Sequence, residues 1–137
     1  MHYWLFKSEP ETFSIDDLIK RPKQTEPWNG VRNYQVRNML RDQIKQGDLA
    51  LFYHSSCTPP GIVGIMEITK SGYPEGDANS PWFMVDVKFI KKFPRMITLE
   101  EIKQHPILKN MVVARKGNRL SITPVTAEEW KIIGLTF

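Results

Sequence analysis

The segment Trp28-Asn29-Gly30-Val31-Arg32-Asn33-Tyr34-Gln35-Val36-Arg37-Asn38 holds the chain's densest mixture of aromatic, amide, guanidinium and glycine groups. Trp28 and Tyr34 offer flat faces. Asn29, Asn33, Gln35 and Asn38 each pair a donor with an acceptor, the pattern that matches a base edge. Arg32 and Arg37 offer planar forks suited to a phosphate or to stacking on a base. Gly30 lets the backbone come close to whatever is bound. Little of this looks chosen to fill a core, so the rest of the fold is expected to hold the segment beside a pocket.

Other residues carry the same chemistry more thinly. Trp82 is a second stacking surface. Stacking is worth about 1–3 kcal/mol per base, and extruding a base from a duplex costs a few kcal/mol. One stacking contact therefore does not clearly win. Hydrogen bonds and phosphate contacts must add to it, or the target must already be single-stranded. Trp28 and Trp82 read equally well as core, whereas Trp4 and Trp130 read as core outright. His54 ends an apolar strand ahead of Ser55 and Ser56, where it can read a base edge, touch phosphate or anchor its own loop. Ser8 and Ser121 can donate to a ligand or merely close turns. Arg32 and Arg37 lie near a helix start, where an anion is favoured. Arg115, Lys116 and Arg119 form a basic turn, a second candidate for backbone phosphate contact. Arg41 and Lys45 read as a solvated helix face.

Catalytic patterns are weak. No Gly-x-Ser-x-Gly elbow surrounds Ser8, so a Ser8–His54–Asp triad has no local support. Cys57 follows His54 by three residues without a recognisable nucleophile arrangement. No phosphate-binding loop, dinucleotide fingerprint or zinc-ligand spacing occurs. No catalytic residue, cofactor or metal is expected.

These side chains must be positioned by short elements. Residues 2–7 are apolar on both alternating faces, which fits a strand covered on both sides. Ser14 and Asp17 open a short helix that Pro22 stops, and residues 21–27 read as a polar loop. Asn33 to Gln46 reads as the main helix, with an apolar stripe of Val36, Met39, Leu40 and Ile44 and Gly47 at its cap. Strands are expected over 48–54 and 61–68; Gly61 and Gly64 in the second imply tight curvature or a close neighbour. Residues 71–81 read as a surface loop and 82–93 as a half-buried strand. Thr98 and Glu101 open another helix. Residues 107–114 fit helix or strand, and 120–122 a short strand. Thr126 and Glu129 open the last helix. Short helices between curved strands imply a small mixed barrel rather than alternating parallel units.

At 137 residues the chain fits one domain, 1–137, large enough to need no metal or disulfide staple. A single cysteine excludes an internal disulfide and any cysteine-cluster metal site, so a reducing interior such as the cytoplasm is expected. No apolar run approaches the roughly 20 residues of a membrane span, and the first residues lack the features of a signal peptide. The net charge of +4 permits an anionic partner but is too small for a strong non-specific nucleic-acid binder.

The chain resembles the EVE domain family, which has a PUA-like fold. The resemblance rests on Tyr3-Trp4-Leu5-Phe6-Lys7-Ser8-Glu9-Pro10, Trp28 through Gln35, Gly47-Asp48-Leu49, Phe52-Tyr53-His54-Ser55, Pro59 through Gly64, Pro81 through Val87, and Gly117 through Ser121. It implies a mixed α/β, PUA-like pseudo-barrel of mostly antiparallel strands with flanking short helices. It also implies a pocket for a modified base, such as a methylated or hydroxymethylated cytosine, in DNA or RNA. Carried over by motif, that pocket draws on Lys7, Ser8, Trp28, Asn29, Gly30, Val31, Arg32, Asn33, His54, Ser55, Trp82, Leu120 and Ser121. One departure stands out: the stretch 73–81 is shorter than in many members, which carry a Tyr-Asp-Pro-Lys-like segment there. If that segment covers the pocket in them, this pocket is more open.

The expected function is thus a nucleic-acid-binding module reading a modified base, without chemistry of its own. It is expected to act as a monomer, with no membrane or metal partner, in the cytoplasm or, in a eukaryote, the nucleus. Two alternatives remain: an RNA-binding module acting in transfer-RNA or translation-related processes, and a hydrolase using His54 and Ser8.

Overall fold

The computed structural model describes residues 1–136. Among them six strands form one sheet: β1 (Tyr3–Ser8), β2 (Thr25–Trp28), β3 (Leu49–His54), β4 (Gly61–Pro74), β5 (Phe83–Thr98) and β6 (Ile122–Val125). The order is β2-β5-β4-β3-β1-β6. Only the β1–β3 pair is parallel among the described strands; the other neighbours are antiparallel. Helices α1 (Ile15–Lys20), α2 (Tyr34–Asp42), α3 (Leu99–Gln104) and α4 (Ala127–Thr136) flank the sheet.

The sheet curls. Trp28 of β2 lies four places from Phe6 of β1 in the strand order, which a flat sheet would hold about 19 Å apart. Their ring centroids are 5.3 Å apart, and Trp28 is 5.5 Å from Phe52 of β3. One face therefore closes on itself around Trp4, Phe6, Trp28, Phe52, Met66 and Val85. The other face packs Leu5, Leu51, Tyr53 and Ile62 against α3, α4 and the 107–114 segment. Strand β1 feeds both cores by alternation, as its doubly apolar pattern predicts. Register shifts along β4 and β5 supply the bending. At Gly64 the carbonyl of Lys91 and the Ile15 side chain occupy the space a Cβ would need, so its absence is required by a close neighbour.

Capping boxes form where the sequence places them, at Ser14/Asp17, Thr98/Glu101 and Thr126/Glu129. Several boundaries differ from expectation. Helix α2 begins at Tyr34 with Asn33 as its cap and ends at Asp42, not Gln46. Gln43 and Ile44 both donate back to the Met39 carbonyl, and from Lys45 on the N–H groups are captured elsewhere: Lys45 by the Asp48 carboxylate, Gln46 by Ser71 Oγ and Gly47 by the Ile68 carbonyl. Residues 25–27, expected to be loop, join Trp28 in β2, an edge strand in which Pro27 is tolerated. Strand β4 runs on to Pro74, so the connection to β5 is only 75–82. Strand β5 continues to Thr98 because its tail pairs with the start of β4. Residues 107–114 hold two 3-10 turns, and the last strand is 122–125 instead of 120–122.

Candidate nucleic-acid pocket

A cavity of about 580 Å³ opens where the end of β1, the turn after it, β2 and the β2–α2 link converge. That volume is ample for a nucleobase and lies within the range of small-molecule sites. Its apolar part is Trp28 and Phe13, whose rings meet edge to face at 6.1 Å. Trp28 is only 8% exposed and is wedged edge-on against Phe6 and Phe52, so its orientation is fixed by the core.

The β2–α2 link alternates between anchors and free groups. Trp28 and Val31 are buried, whereas Asn29, Gly30, Arg32 and Asn33 are exposed at the cavity. Gly30 adopts φ +81°, a left-handed turn that disfavours a side chain. Asn33 spends Oδ1 on the Val36 N–H at 3.0 Å, which caps α2. Its amide nitrogen makes no protein hydrogen bond among the described residues, so it remains available to a ligand.

Glu75, from the β4–β5 connection, holds this link in place. Its carboxylate takes two hydrogen bonds from the Arg32 guanidinium at 3.0 Å each, and one from the Gly30 N–H at 3.3 Å. Arg32 and then the Gly30 N–H hold the Glu75 carboxyl below its usual range against the opposing effect of burial. Also lining the cavity, Arg21 pairs with Glu26 at 2.9 Å. Lys7 is half-buried, and burial pushes its amine below the ordinary lysine value. Among the described residues it has no carboxylate in ion-pair range. Ser8 donates to the Phe13 carbonyl at 2.6 Å, closing the turn that carries Phe13. Ser121 accepts the Lys7 N–H through its carbonyl at 2.8 Å, which draws the 115–121 loop to the rim.

Lys7, Ser8, the run from Trp28 to Asn33 and Ser121 thus line one cavity. Four other sequence candidates, His54, Ser55, Trp82 and Leu120, lie outside its lining. His54 Nε2 accepts the Ile15 N–H at 3.2 Å, so the ring secures the first turn of α1. Burial, reinforced by the Lys92 charge and opposed by Asp16, lowers its pKa and favours this neutral acceptor form. Ser55 continues the β1–β3 pairing, its N–H bonded to the Ser8 carbonyl at 2.9 Å. Leu120 packs on the core around Trp28. Trp82 packs against Tyr34 with ring centroids 4.8 Å apart and planes tilted by 31°, and the Arg32 guanidinium lies 5.1 Å from its centroid. Arg37 reaches the Pro81 carbonyl at 2.7 Å and lies 5.0 Å from the Tyr34 ring. Arg115, Lys116 and Arg119 are exposed on the loop that leads to Ser121.

Sequence reading missed Phe13 and Glu75. Phe13 had a signal: an apolar residue just before an N-cap commonly packs down onto the new helix, and Phe13 and Leu18 share one core. Glu75 had none, since its role depends on a contact 43 residues away.

Comparison with known proteins gives a consistent picture. Human thymocyte nuclear protein 1 is 43% identical over 163 residues, covering 96% of this chain and 72% of that protein. The matched stretch is longer than the whole of this chain, so the human protein carries insertions within it. The structure of human THYN1 in complex with 5-methylcytosine-containing DNA superposes with a TM-score of 0.87 at 42% identity, covering 97% of this chain and 95% of that one. A hypothetical protein from Leishmania major superposes with a TM-score of 0.90 at 40% identity, over 98% and 93% of the two chains. The EVE domain family model matches residues 2–134, and the chain belongs to the EVE domain family.

Proposed function

We infer that this protein binds nucleic acid and that its cavity receives a single modified base, a 5-substituted cytosine being the leading candidate. The observation that carries this reading is the charge pattern around the cavity. Arg21 and Arg32 each face it already paired with a carboxylate. A phosphate entering would compete with both ion pairs. A planar, neutral ligand would not: it can lie against Trp28 and Phe13 and exchange hydrogen bonds with Asn29, Asn33 and Lys7. The DNA complex of the human relative supports the same reading. Backbone phosphates would instead meet the exposed Arg115, Lys116 and Arg119 beside the rim.

Hydrolysis by Ser8 and His54 is disfavoured by the same geometry. The Ser8 hydroxyl proton is committed to the Phe13 carbonyl, and the His54 acceptor nitrogen to the Ile15 N–H. His54 does not lie on the cavity wall with Ser8.

The test is a titration of single-stranded DNA and RNA oligomers at one fixed salt concentration. Each carries one cytosine, 5-methylcytosine, 5-hydroxymethylcytosine or methyladenine. The reading expects at least a tenfold preference, about 1.4 kcal/mol, for one modified base, and its loss in Lys7→Met. Equal binding of all oligomers with a steep salt dependence would replace it with phosphate-dominated RNA or DNA binding.

A further inference from the structure

Tyr34 is 59% exposed although it opens a helix whose neighbouring apolar residues are buried. Neither Tyr34 nor Trp82, the ring packed against it, belongs to either hydrophobic core. The fold therefore does not account for this aromatic pair. It is nevertheless firmly held. Arg37 ties α2 to the Pro81 carbonyl, and Arg32 covers Trp82 while bonded to Glu75. The contacts run Arg32–Trp82–Tyr34–Arg37. The first of these residues lines the cavity, and so does Asn33, next in sequence to Tyr34. The connection that carries Trp82, 75–82, is only eight residues long, and Tyr34 remains open to solvent.

We propose that Tyr34 and Trp82 form a second subsite that stacks the nucleobase adjacent to the one held in the cavity. This rests on the base-reading function inferred above. Extruding one base deprives its neighbour of a stacking partner, which is part of the few-kcal/mol cost of flipping. An aromatic surface at the lip of the cavity replaces that partner. It supplies the second contribution that one stacking contact in the cavity cannot. Every base has a flat face, so the subsite is indifferent to the identity of the neighbour. Arg37, which lies over the exposed Tyr34 ring and makes no ion pair among the described residues, yields that face to the arriving base and keeps its positive charge beside the linking phosphate, while Arg32 stays paired with Glu75.

Isothermal titration separates the two sites. The probes are 5-methyl-2′-deoxycytidine 5′-monophosphate, a trinucleotide with 5-methyl-dC between two thymidines, and the same trinucleotide with abasic residues in place of both thymidines. The proteins are wild type, Tyr34→Ala and Tyr34→Phe; the position is exposed and alanine is a good helix former, so both variants are expected to fold. In wild type the thymidine-flanked probe should bind about tenfold more tightly than the abasic-flanked one. Tyr34→Ala should abolish that advantage, Tyr34→Phe should keep it, and all three proteins should bind the mononucleotide equally. If wild type binds the mononucleotide yet does not distinguish the flanks, the subsite is wrong and the cavity reading survives. If Tyr34→Ala weakens mononucleotide and trinucleotide alike, Tyr34 serves the cavity and the subsite is again overturned. If no probe binds wild type, both readings fall together.

Discussion

Asp48 is the buried carboxylate whose loss should be felt most, and the structure is specific about how much. It is 3% exposed and accepts three hydrogen bonds from two separate parts of the chain. Oδ2 takes the Trp4 indole N–H and the Lys45 N–H, both at 3.0 Å, and Oδ1 takes the His2 N–H at 3.1 Å. Together these bolt the start of β1 to the α2–β3 junction. Hydrogen bonds to a charged acceptor contribute about 1.5–3 kcal/mol each, and a buried donor left alone costs about 1–3 kcal/mol. In Asp48→Ala the indole N–H has no substitute, while water can reach the two backbone groups; the expected loss is about 3–5 kcal/mol. Asparagine can turn its oxygen toward Trp4 and Lys45 but then points an NH₂ group at the His2 N–H. It loses one bond and the charge assistance of the other two, for about 2 kcal/mol. Urea unfolding followed by circular dichroism reads both, and the alanine variant should lower the midpoint by roughly 2 M at the m-values usual for small proteins. In a Trp4→Phe background Asp48→Ala should cost at least about 1 kcal/mol less, since the orphaned donor is gone. The reasoning is refuted if asparagine and alanine cost the same, or if the Trp4→Phe background leaves the cost of Asp48→Ala unchanged.

Two further outcomes follow from the site. His54 is held neutral in the fold, while an unfolded histidine takes up a proton near pH 6.5. Below that pH the unfolded chain binds more protons, so the contribution of His54 is full above about 6.5 and is lost as pH falls through the lowered folded value. Unfolding midpoints from pH 8 to pH 5 should decline in wild type and decline less in His54→Gln, and parallel curves would remove His54 as a source of the slope. Glu75→Gln should weaken oligonucleotide binding several-fold by freeing Arg32 and slackening the Gly30 turn, with the urea midpoint essentially unmoved because the pair is solvent-screened. An equal loss of stability would instead place Glu75 in the core architecture.

What was legible in the sequence was what is decided locally. Ser14, Thr98 and Thr126 each announce a helix with a carboxylate three residues later, and all three boxes close. The doubly apolar β1 reads directly as a strand between two cores. The polar run 28–33 reads as a site because buried Trp28 and Val31 leave its amides and guanidinium facing outward. What was not legible depends on distant partners. Helix α2 has the composition to continue to Gln46, but Asp48, Ser71 and Ile68 take the N–H groups of Lys45, Gln46 and Gly47. The stretch 71–74 has the glycine and proline of a loop, yet Tyr73 and Pro74 pair with Met84 and Phe83. Of the readings open for His54, the structure shows a close relative of the anchoring one: it secures a helix 39 residues earlier, and periodicity cannot reveal that.

The two tryptophans illustrate why residue type alone could not divide the site. Both were candidates for stacking and both were candidates for core. Trp28 is both at once: the core fixes its ring edge-on against Phe6 and Phe52, and the same ring bounds the cavity. A surface locked in this way loses little conformational freedom on binding, so its contact contributes with a small entropic penalty. Trp82 has no such support from the core and is steadied instead by Tyr34 and Arg32. Arg32 is in turn held by Glu75, which also holds the Gly30 turn. The wall of the cavity and the aromatic pair outside it therefore share one carboxylate. Loosening Glu75 should disturb both together, whereas removing the Tyr34 ring should disturb only the outer one. This asymmetry lets two neighbouring subsites be separated by substitution even though one ion pair steadies them.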